Sequence, residues 1–295
     1  MSNRSSLVWY IVGRVGSAAL VVAAASVLIF AAMELLPGDA ADVMLSRQQG
    51  SSGGAASAEQ KELLRADLGL DRPLAERYVR WIGGIGHGDL GRSLFSHRPV
   101  TEIIGARLAN TVILAAVAAA CLIPLAIGFG VWAGARAGRA ADRLISAASL
   151  TVGSLPEFVI ATFLIQLFAL ALPLFPPISL LPYGENPLHS PEVLVLPIAT
   201  LVAVMAPQTI RMVRAQMSEV MRSSYIQMAR LHGIPDRRII THHALRNAVA
   251  PAAPLLASSI AWLVGGIIVV ETVFNYPGLS RDLVHAIGTR DLPYV

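Results

Sequence analysis

Apolar runs long enough to cross a lipid bilayer constrain this chain more than any other feature. A helix needs about 20 mostly apolar residues to cross the hydrocarbon core. The runs that approach or exceed this length are residues 15–36, 108–135, 144–172, 194–210 and 248–270. Only 14% of the 295 residues are charged, against about 25% in soluble domains. The sequence therefore predicts an all-α polytopic membrane protein with five transmembrane helices.

Proline interrupts several of these runs. Pro156 and Glu157 lie inside the third, and Pro197 and Pro207 lie inside the fourth. Prolines in a membrane helix are tolerated where neighbouring helices or water satisfy the freed backbone groups. The pattern indicates a bundle around a pathway rather than a simple anchor.

The arginines are distributed unevenly between the spans. They precede the first span and fill the connections after the second and the fourth, whereas residues 173–193 contain no Lys or Arg. The positive-inside rule then places the N-terminus in the cytoplasm. This predicts a cytoplasmic N-terminus with the first span (1–36), an external helical segment (37–107) and a transmembrane core (108–295). Within the core, 214–247 would be cytoplasmic and 271–295 external.

The external segment divides into a linker and two short helices. Residues 50–58, GSSGGAASA, are typical of a flexible linker. Ser57 and Gln60 form a capping box that would open a helix, which Gly69 would end. A second helix is expected after Pro73, with its apolar residues on one face. The segment is either a cap packed on the outer ends of the spans or a docking surface for an external partner.

The stretch SYIQMARLHGIPDRRIITHHALRNAVAP, residues 224–251, is polar yet lies between two spans. Ser224 and Gln227 match a capping box, so a helix is expected from Tyr225 until Gly233 takes the left-handed position after it. Pro235 and Asp236 suit the first turn of a second helix. The sequence predicts two short helices joined by a sharp bend, with an apolar patch formed by Tyr225, Met228 and Ala229.

Three functions are compatible with this stretch taken alone. It could be a solvated basic loop, a nucleic-acid surface, or a helix that docks into a groove on a cytoplasmic protein. A nucleic-acid surface needs stacking aromatic residues, and only Tyr225 is available. His242 and His243 lack the HExxH spacing, and with Cys121 as the single cysteine no metal site is predicted.

The stretch resembles the EAA loop of permease subunits of binding-protein-dependent ABC importers, particularly those for dipeptides and oligopeptides. Gln227-Met228-Ala229 occupies the triplet position and Gly233 that of the glycine, although the first two triplet residues depart from the general pattern. HALRNA, residues 243–248, is similar to the downstream half of the peptide-permease version.

Further motifs along most of the chain are similar to the same family. They are LLPGDAAD (35–42), LGLDRPLAERYVRWI (68–82), GDLGRSLFSHRPV (88–100), SLPEFV (154–159) and ETVFNYPGLSRDLVHAI (271–287). The linker at 50–58 looks like an insertion. Such permeases usually have a sixth span after an RDYP-like turn, here Arg290 to Pro293, so the resemblance implies that a sixth helix follows residue 295.

The resemblance implies a type I importer fold and one half of a transmembrane pathway. The implied partners are a homologous second permease subunit, two ATPase subunits that bind ATP and magnesium, an external solute-binding protein and the bilayer, with no nucleic acid. The chain itself lacks GxxxxGK[ST], needs no cofactor and is not an enzyme. The implied location is the bacterial inner membrane. Peptides are the implied substrate, with haem, nickel or glutathione as alternatives.

Three groups of candidate site residues follow. The ATPase-coupling group comprises Arg222, Tyr225, Gln227, Met228, Ala229, Arg230, Gly233, Pro235, Asp236 and Asn247. Pro156 and Glu157 are candidates for the pathway, because an ionisable residue inside a membrane is a functional candidate; the alternative is that the Glu157 carboxylate satisfies backbone donors freed beside Pro156. Tyr276, Pro277, Gly278 and Leu279 form a turn that would either gate the external mouth or cap the bundle.

Other classes of protein compete with this prediction. A secondary transporter would need several intramembrane ionisable groups and internal repeats, and a membrane-embedded hydrolase would need a nucleophile or metal set within the spans. A membrane scaffold is a further alternative. Glu34 and Glu271 lie at the outer ends of spans, where solvation at the interface is the simplest expectation.

Overall fold

A computed structural model describes residues 3–35, 38, 40–52, 58–182 and 184–295, without the side chains of 3–8, 47–52, 58, 251–257 and 259–265. Within these ranges the chain is helical and contains no β-strand. The α-helices are α1 Asn3–Leu35, α2 Ala40–Ser52, α3 Ala58–Asp67, α4 Leu74–Gly86, α5 Val100–Ala135, α6 Ala140–Gly153, α7 Glu157–Leu164, α8 Glu192–Met221, α9 Ser224–Leu231, α10 Asp236–Arg238, α11 Leu245–Val273 and α12 Leu279–Thr289. The all-α prediction is confirmed.

Among the described residues, three helices are long and apolar enough to cross a membrane, namely α1 from Trp9, α5 and α8. Helix α6 passes the same test together with the segment Glu157–Ala171, in which a π-helical stretch, Ile165–Ala171, continues α7, but the two are bent by 102° at their junction. The sequence analysis predicts this pair as one span that is interrupted by Pro156. The fifth predicted span coincides with α11, in which most side chains of residues 251–265 lie outside the described part, so that span stays a prediction.

The chain forms two compact units, of which the first comprises Met1–Ile104 and Leu283–Val295. In this unit the predicted helix after Pro73 is present as α4, and its apolar face packs on the end of α1. The ring of Tyr78 meets that of Phe30 edge-on, with centroids 5.2 Å apart. Arg77 pairs with Glu34 at 2.6 Å. This supports a cap packed on the first span.

The linker prediction is wrong at its start, because α2 continues through Gly50 to Ser52. The helix begins on the buried residues Ala40 and Ala41, and each further residue of a formed helix adds one backbone hydrogen bond, so it extends into the Gly/Ser segment. Residues 53–57, and with them the capping residue Ser57, lie outside the described part. Gly69 has a φ of +65° after α3, as predicted.

The second unit is Gly105–Asp282, with α8 packed against α6, α7 and α11. The fully or nearly fully buried side chains of its core include Leu114, Leu122, Leu196, Ile267 and Phe274. The sequence predicts a short fourth span, 194–210, whereas α8 runs for 30 residues through Pro197 and Pro207. Helix α8 therefore continues across both prolines.

Candidate functional site

The polar stretch between α8 and α11 forms a sharply bent structure that we call the elbow, residues 224–244. Its first limb is α9, which begins at Ser224. The predicted cap is therefore wrong by one position. The flanking residue is Ser223, whose backbone is extended and whose carbonyl accepts a hydrogen bond from the Gln227 N–H at 3.2 Å. The Gln227 side chain donates to the Arg222 carbonyl rather than closing a capping box.

Gly233 forms the bend of the elbow. It has a φ of +75°, a left-handed conformation that glycine adopts without steric cost. The N–H groups of Gly233 and Ile234 donate to carbonyls of the last turn of α9 at 2.9 and 3.1 Å. Arg230 and Asp236 form an ion pair across the bend at 3.2 Å. The bend predicted at this glycine is confirmed.

The second limb differs from the short helix predicted after Pro235. Pro235 flanks α10, which passes into a π-helical segment, Ile239–Ala244, and then directly into α11. No turn separates these segments, so the second limb is the start of the membrane helix itself. π-Helical segments are rare and often occur at functional sites.

A small apolar core supports the elbow from beneath. It consists of buried residues from α8, both limbs and the start of α11: Met217, Met221, Ile226, Ile239, Ala244 and Ala248. Ala229 packs against this core. Ala229 is therefore partly buried on the underside of α9 and is not part of the exposed apolar patch predicted with Tyr225 and Met228.

The outer face of α9 presents three apolar side chains to solvent. Tyr225 is 44% exposed, Met228 55% and Leu231 81%. Their spacing of three residues places them along one face of the helix. Leu231 was missed by the sequence reading, although its position three residues after Met228 was a usable signal. Arg222, Gln227 and Arg230 are also exposed around this face.

Asn247 lies on α11 and braces the first limb from the second. Its side-chain amide donates to the Tyr225 hydroxyl at 2.9 Å and to the His243 carbonyl at 3.1 Å. The structure thus brings Asn247 to the residues predicted with it. The ten residues of the predicted coupling group all lie on or beside the elbow.

Glu157 occupies the break between α6 and α7. It is the first residue of α7, after Pro156 in extended conformation, and its side chain is half-buried. A Cβ atom on Gly266 of α11 would lie 3.3 Å from its carboxylate oxygen, so the carboxylate lies against a part of α11 that has no side chain. Among the described residues Glu157 forms no hydrogen bond or ion pair, including with the backbone donors beside Pro156.

The turn at Tyr276–Leu279 is fastened to α5. The Tyr276 hydroxyl donates to the Asn110 carbonyl at 2.9 Å, and the Pro277 carbonyl accepts from the Asn110 side chain at 2.9 Å. The Leu279 N–H donates to the Thr111 hydroxyl at 2.8 Å. Tyr276 is fully buried. Burial, together with the Glu271 carboxylate, raises the pKa of the Tyr276 phenol above its usual value.

Glu271 anchors this turn, and the expectation that it is solvated at the interface is wrong. It is fully buried, it accepts from the Thr111 hydroxyl at 2.6 Å and the Arg281 N–H at 3.0 Å, and its carboxylate lies against the backbone of Gly278. A Cβ atom at Gly278 would overlap that carboxylate. The chain folds back over the end of α11, which puts Glu271 beneath the turn instead of at the surface.

An ion pair between a buried carboxylate and a partly exposed arginine, on the elbow side of the second unit, was also missed. Asp142, at the start of α6, is 2% exposed and pairs with Arg214 of α8. The sequence reading took the arginines here only as orientation signals. Nothing in the local sequence distinguishes Arg214 from Arg211 nearby, so the ion pair could be identified only from the three-dimensional structure.

Comparison with known proteins agrees with this architecture. Residues 126–295 match the family model described as "Binding-protein-dependent transport system inner membrane component". Residues 7–115 match the model described as "Binding-prot-dependent transport system membrane comp, N-term". The chain belongs to this family of inner membrane permease components, with the helical fold of type I importers. It is a multi-pass membrane protein, and the membership decides against the secondary transporter, scaffold and hydrolase alternatives.

Several relatives are similar over nearly the whole chain. A Brucella abortus (strain 2308) protein named as a peptide transport system permease is 36% identical over 97% of this chain and 88% of its own length. A Sinorhizobium fredii protein named as a peptide ABC transporter permease is 33% identical over 97% and 89%. An Escherichia coli O6:H1 protein named as a glutathione transport system permease is 33% identical over 92% and 83%.

Proposed function

We propose that this chain is one of two homologous permease subunits of an ATP-driven ABC importer, and that the elbow receives the movement of an ATPase subunit. The observation that carries the proposal is the exposed apolar face of α9, Tyr225, Met228 and Leu231, mounted on a buried base. A short helix with apolar anchors and a charged rim fits a groove on a partner protein. Because the chain lacks a phosphate-binding loop, ATP and magnesium would be bound by that partner.

The two limbs of the elbow provide the route by which a push on α9 would reach the membrane. α9 follows α8 after only Arg222 and Ser223, and the second limb runs without interruption into α11. A displacement of α9 would therefore act on two membrane helices at once. With the arginine-rich elbow in the cytoplasm, the N-terminus would also be cytoplasmic, and the segment 37–107 would be external and would meet a solute-binding protein.

The substrate that we propose is a di- or oligopeptide or glutathione, as the names of the relatives suggest, rather than haem or nickel. Glu157 supports a substrate with an ammonium group. It is a carboxylate at a helix break, beside Gly266 and without a partner among the described residues. A buried or half-buried carboxylate without a partner is costly, and an ammonium group in the pathway would offset that cost.

Co-purification tests the elbow. The tagged chain is expressed with the proposed ATPase and second permease subunits, and ATPase recovered in detergent is measured. Met228→Asp and Leu231→Asp should lose most of the ATPase, because they place a charge in the apolar contact. Leu63→Asp on α3, where Leu63 is 67% exposed, is the matched control and should retain it. Equal recovery from all three variants would contradict the proposal.

Uptake assays in proteoliposomes that contain the whole importer and its binding protein test which substrate is transported and whether Glu157 binds its ammonium group. Tri-alanine and glutathione are the probes, and N-acetyl-tri-alanine is the control that lacks the ammonium group. Glu157→Gln should reduce uptake of the free peptide severalfold and leave ATPase recovery unchanged. If the variant imports both tri-alanine forms as the wild type does, Glu157 has no role in binding the ammonium group.

A further inference from the structure

The Asp142 carboxylate joins three parts of the second unit. It accepts hydrogen bonds from Nε and Nη2 of Arg214 on α8, at 2.5 and 2.7 Å, and from the N–H of Gly138 in the turn between α5 and α6, at 2.8 Å. A two-pronged Arg–carboxylate pair fixes orientation as well as distance. The start of α6, the turn before it and the elbow end of α8 are therefore held in one arrangement.

The same part of α8 is packed closely on α5. A Cβ atom on Gly130 would lie 2.6 Å from the Cβ of Val213, and one on Gly134 would lie 2.6 Å from the Cβ of Met217. Glycines spaced by four residues let helix backbones approach closely in membranes. Residues 208–221 of α8 are thus bound to α5 by packing and to α6 by the ion pair.

Helices α6 and α8 each have a break in their backbone hydrogen bonding, and the two breaks lie next to each other. Helix α6 ends at Gly153, where the 102° bend to α7 begins. Pro207 interrupts the hydrogen-bond ladder of α8, because proline has no N–H to donate. A Cβ atom on Gly153 would lie 3.2 Å from the Cβ of Pro207. The end of α6 and the proline in α8 are therefore adjacent.

We infer that Asp142 and Arg214 are positioning residues that clamp α6 and residues 208–221 of α8 into one body, which turns about Gly153–Pro156 and Pro207 when α9 is displaced. This inference rests on the proposed function, in which an ATPase moves α9. Since α9 follows α8 almost directly, the clamped body receives that movement at the same time as the start of α11. Glu157 is the first residue beyond the hinge, so the turn changes the surroundings of its carboxylate.

The ion pair suits this role better than a purely stabilising one. The Arg214 side chain is 35% exposed, and an ion pair that is partly open to water adds little to the stability of a fold. What it does supply is a fixed register between the two helices. Without it, a push on α9 could bend α8 at Pro207 alone and leave α6 and α7 in place.

The test measures distances between spin labels in the complete importer, purified with its ATPase subunits. Cys121, which is exposed, is first replaced in a Cys121→Ser background. One label pair, Arg143→Cys with Glu219→Cys, lies within the clamped body. A second pair, Thr162→Cys with Glu219→Cys, lies across the hinge. Each pair is measured without nucleotide and after trapping with ADP and vanadate.

The double variant Asp142→Asn with Arg214→Gln removes the pair without leaving a single buried charge, so that it folds where either single variant could fail. Glu102→Gln, which alters the exposed Arg98–Glu102 pair, is the control. In the control and in the otherwise unaltered protein, trapping should change the distance across the hinge and leave the distance within the body constant. In the double variant, trapping should change the distance within the body, and the change across the hinge should shrink to less than half.

Two results would overturn the inference in distinguishable ways. If the double variant behaves as the control does, Asp142 and Arg214 do not clamp the body, although the ATPase still moves α9. If trapping changes neither distance in the control, the body does not turn about the hinge and the inference fails. The proposed function fails with it only if the α9 variants Met228→Asp and Leu231→Asp also recover as much ATPase as the wild type. As a functional readout, the double variant should import fewer tri-alanine molecules per ATP hydrolysed while its ATPase activity persists.

Discussion

The amide of Asn247 donates a hydrogen bond to the hydroxyl of Tyr225 at 2.9 Å and so joins the membrane helix α11 to the exposed limb of the elbow. The two residues are 22 positions apart, and their hydrogen bond connects α9 to α11 across the bend at Gly233. A brace of this kind keeps the docking face of α9 at a fixed inclination to α11.

Removing this brace should loosen the elbow. Tyr225→Phe and Asn247→Ala should each lower the free energy of unfolding by about 0.5–1.5 kcal/mol, the usual contribution of a hydrogen bond. Combining them should cost less than the sum, because either change removes the same bond. Thermal unfolding of the purified chain in detergent measures these values. Additive losses would show that the bond does not link the limbs.

Substitution of Gly233 should strain the bend. Gly233→Ala places a side chain at a φ of +75°, which costs about 1–2 kcal/mol, and should reduce ATPase recovery because the face of α9 tilts. Gly184→Ala is the control, since Gly184 has a φ of +82° and, like Gly233, has open space around it. Both variants should lose similar stability, but only Gly233→Ala should lose ATPase. Equal ATPase recovery would contradict this prediction.

Gly278 should tolerate no side chain. Gly278→Ala drives a methyl group into the buried Glu271 carboxylate and should destabilise the chain by on the order of 3 kcal/mol. Gly288→Ala, on α12 with open space around it, is the matched control and should be neutral or stabilising by up to about 1 kcal/mol. Unfolding in detergent provides the comparison. A stable Gly278→Ala protein would show that the turn can move away from Glu271.

Tyr276 should make the protein sensitive to alkali. Its phenol has a pKa above its unfolded value of about 10, so the neutral form is favoured on folding. The contribution to stability is therefore complete below pH 10 and is lost as the pH rises towards the folded-state pKa.

Melting temperatures measured between pH 8 and about 11 should fall more steeply for the wild type than for Tyr276→Phe, whose stability is lower at pH 8 because the bond to Asn110 is missing. Tyr10→Phe, at a residue that is 64% exposed, is the control and should follow the wild type. Parallel curves for the wild type and Tyr276→Phe would contradict this prediction.

Much of the fold could be predicted because hydropathy determines which segments become membrane helices and because glycine and proline mark the bends. The left-handed Gly233 and the helix after Pro73 follow from such local rules. The family motifs then indicated the class of protein, which the family comparison confirms.

The remaining features depend on contacts between distant segments. Asp142 and Arg214 are 72 positions apart, and only the packing of α6 on α8 brings them together. The burial of Glu271 likewise depends on the chain folding back over α11. The cap at Ser223 was misplaced because adjacent serines are equally good candidates in sequence, and only the backbone conformation distinguishes them.

The uninterrupted helical path from Asp236 to Val273 makes the number of residues between the elbow and the membrane critical. Each residue of an α-helix turns the chain by about 100°. A one-residue deletion in 236–245 would rotate the rest of α11 by that angle relative to α9 and carry Gly266 away from Glu157. The wider turn of the π-helical segment, Ile239–Ala244, accommodates more residues per turn than an α-helix. The length of this short stretch thus sets which side of α11 faces α7 some 20 residues away.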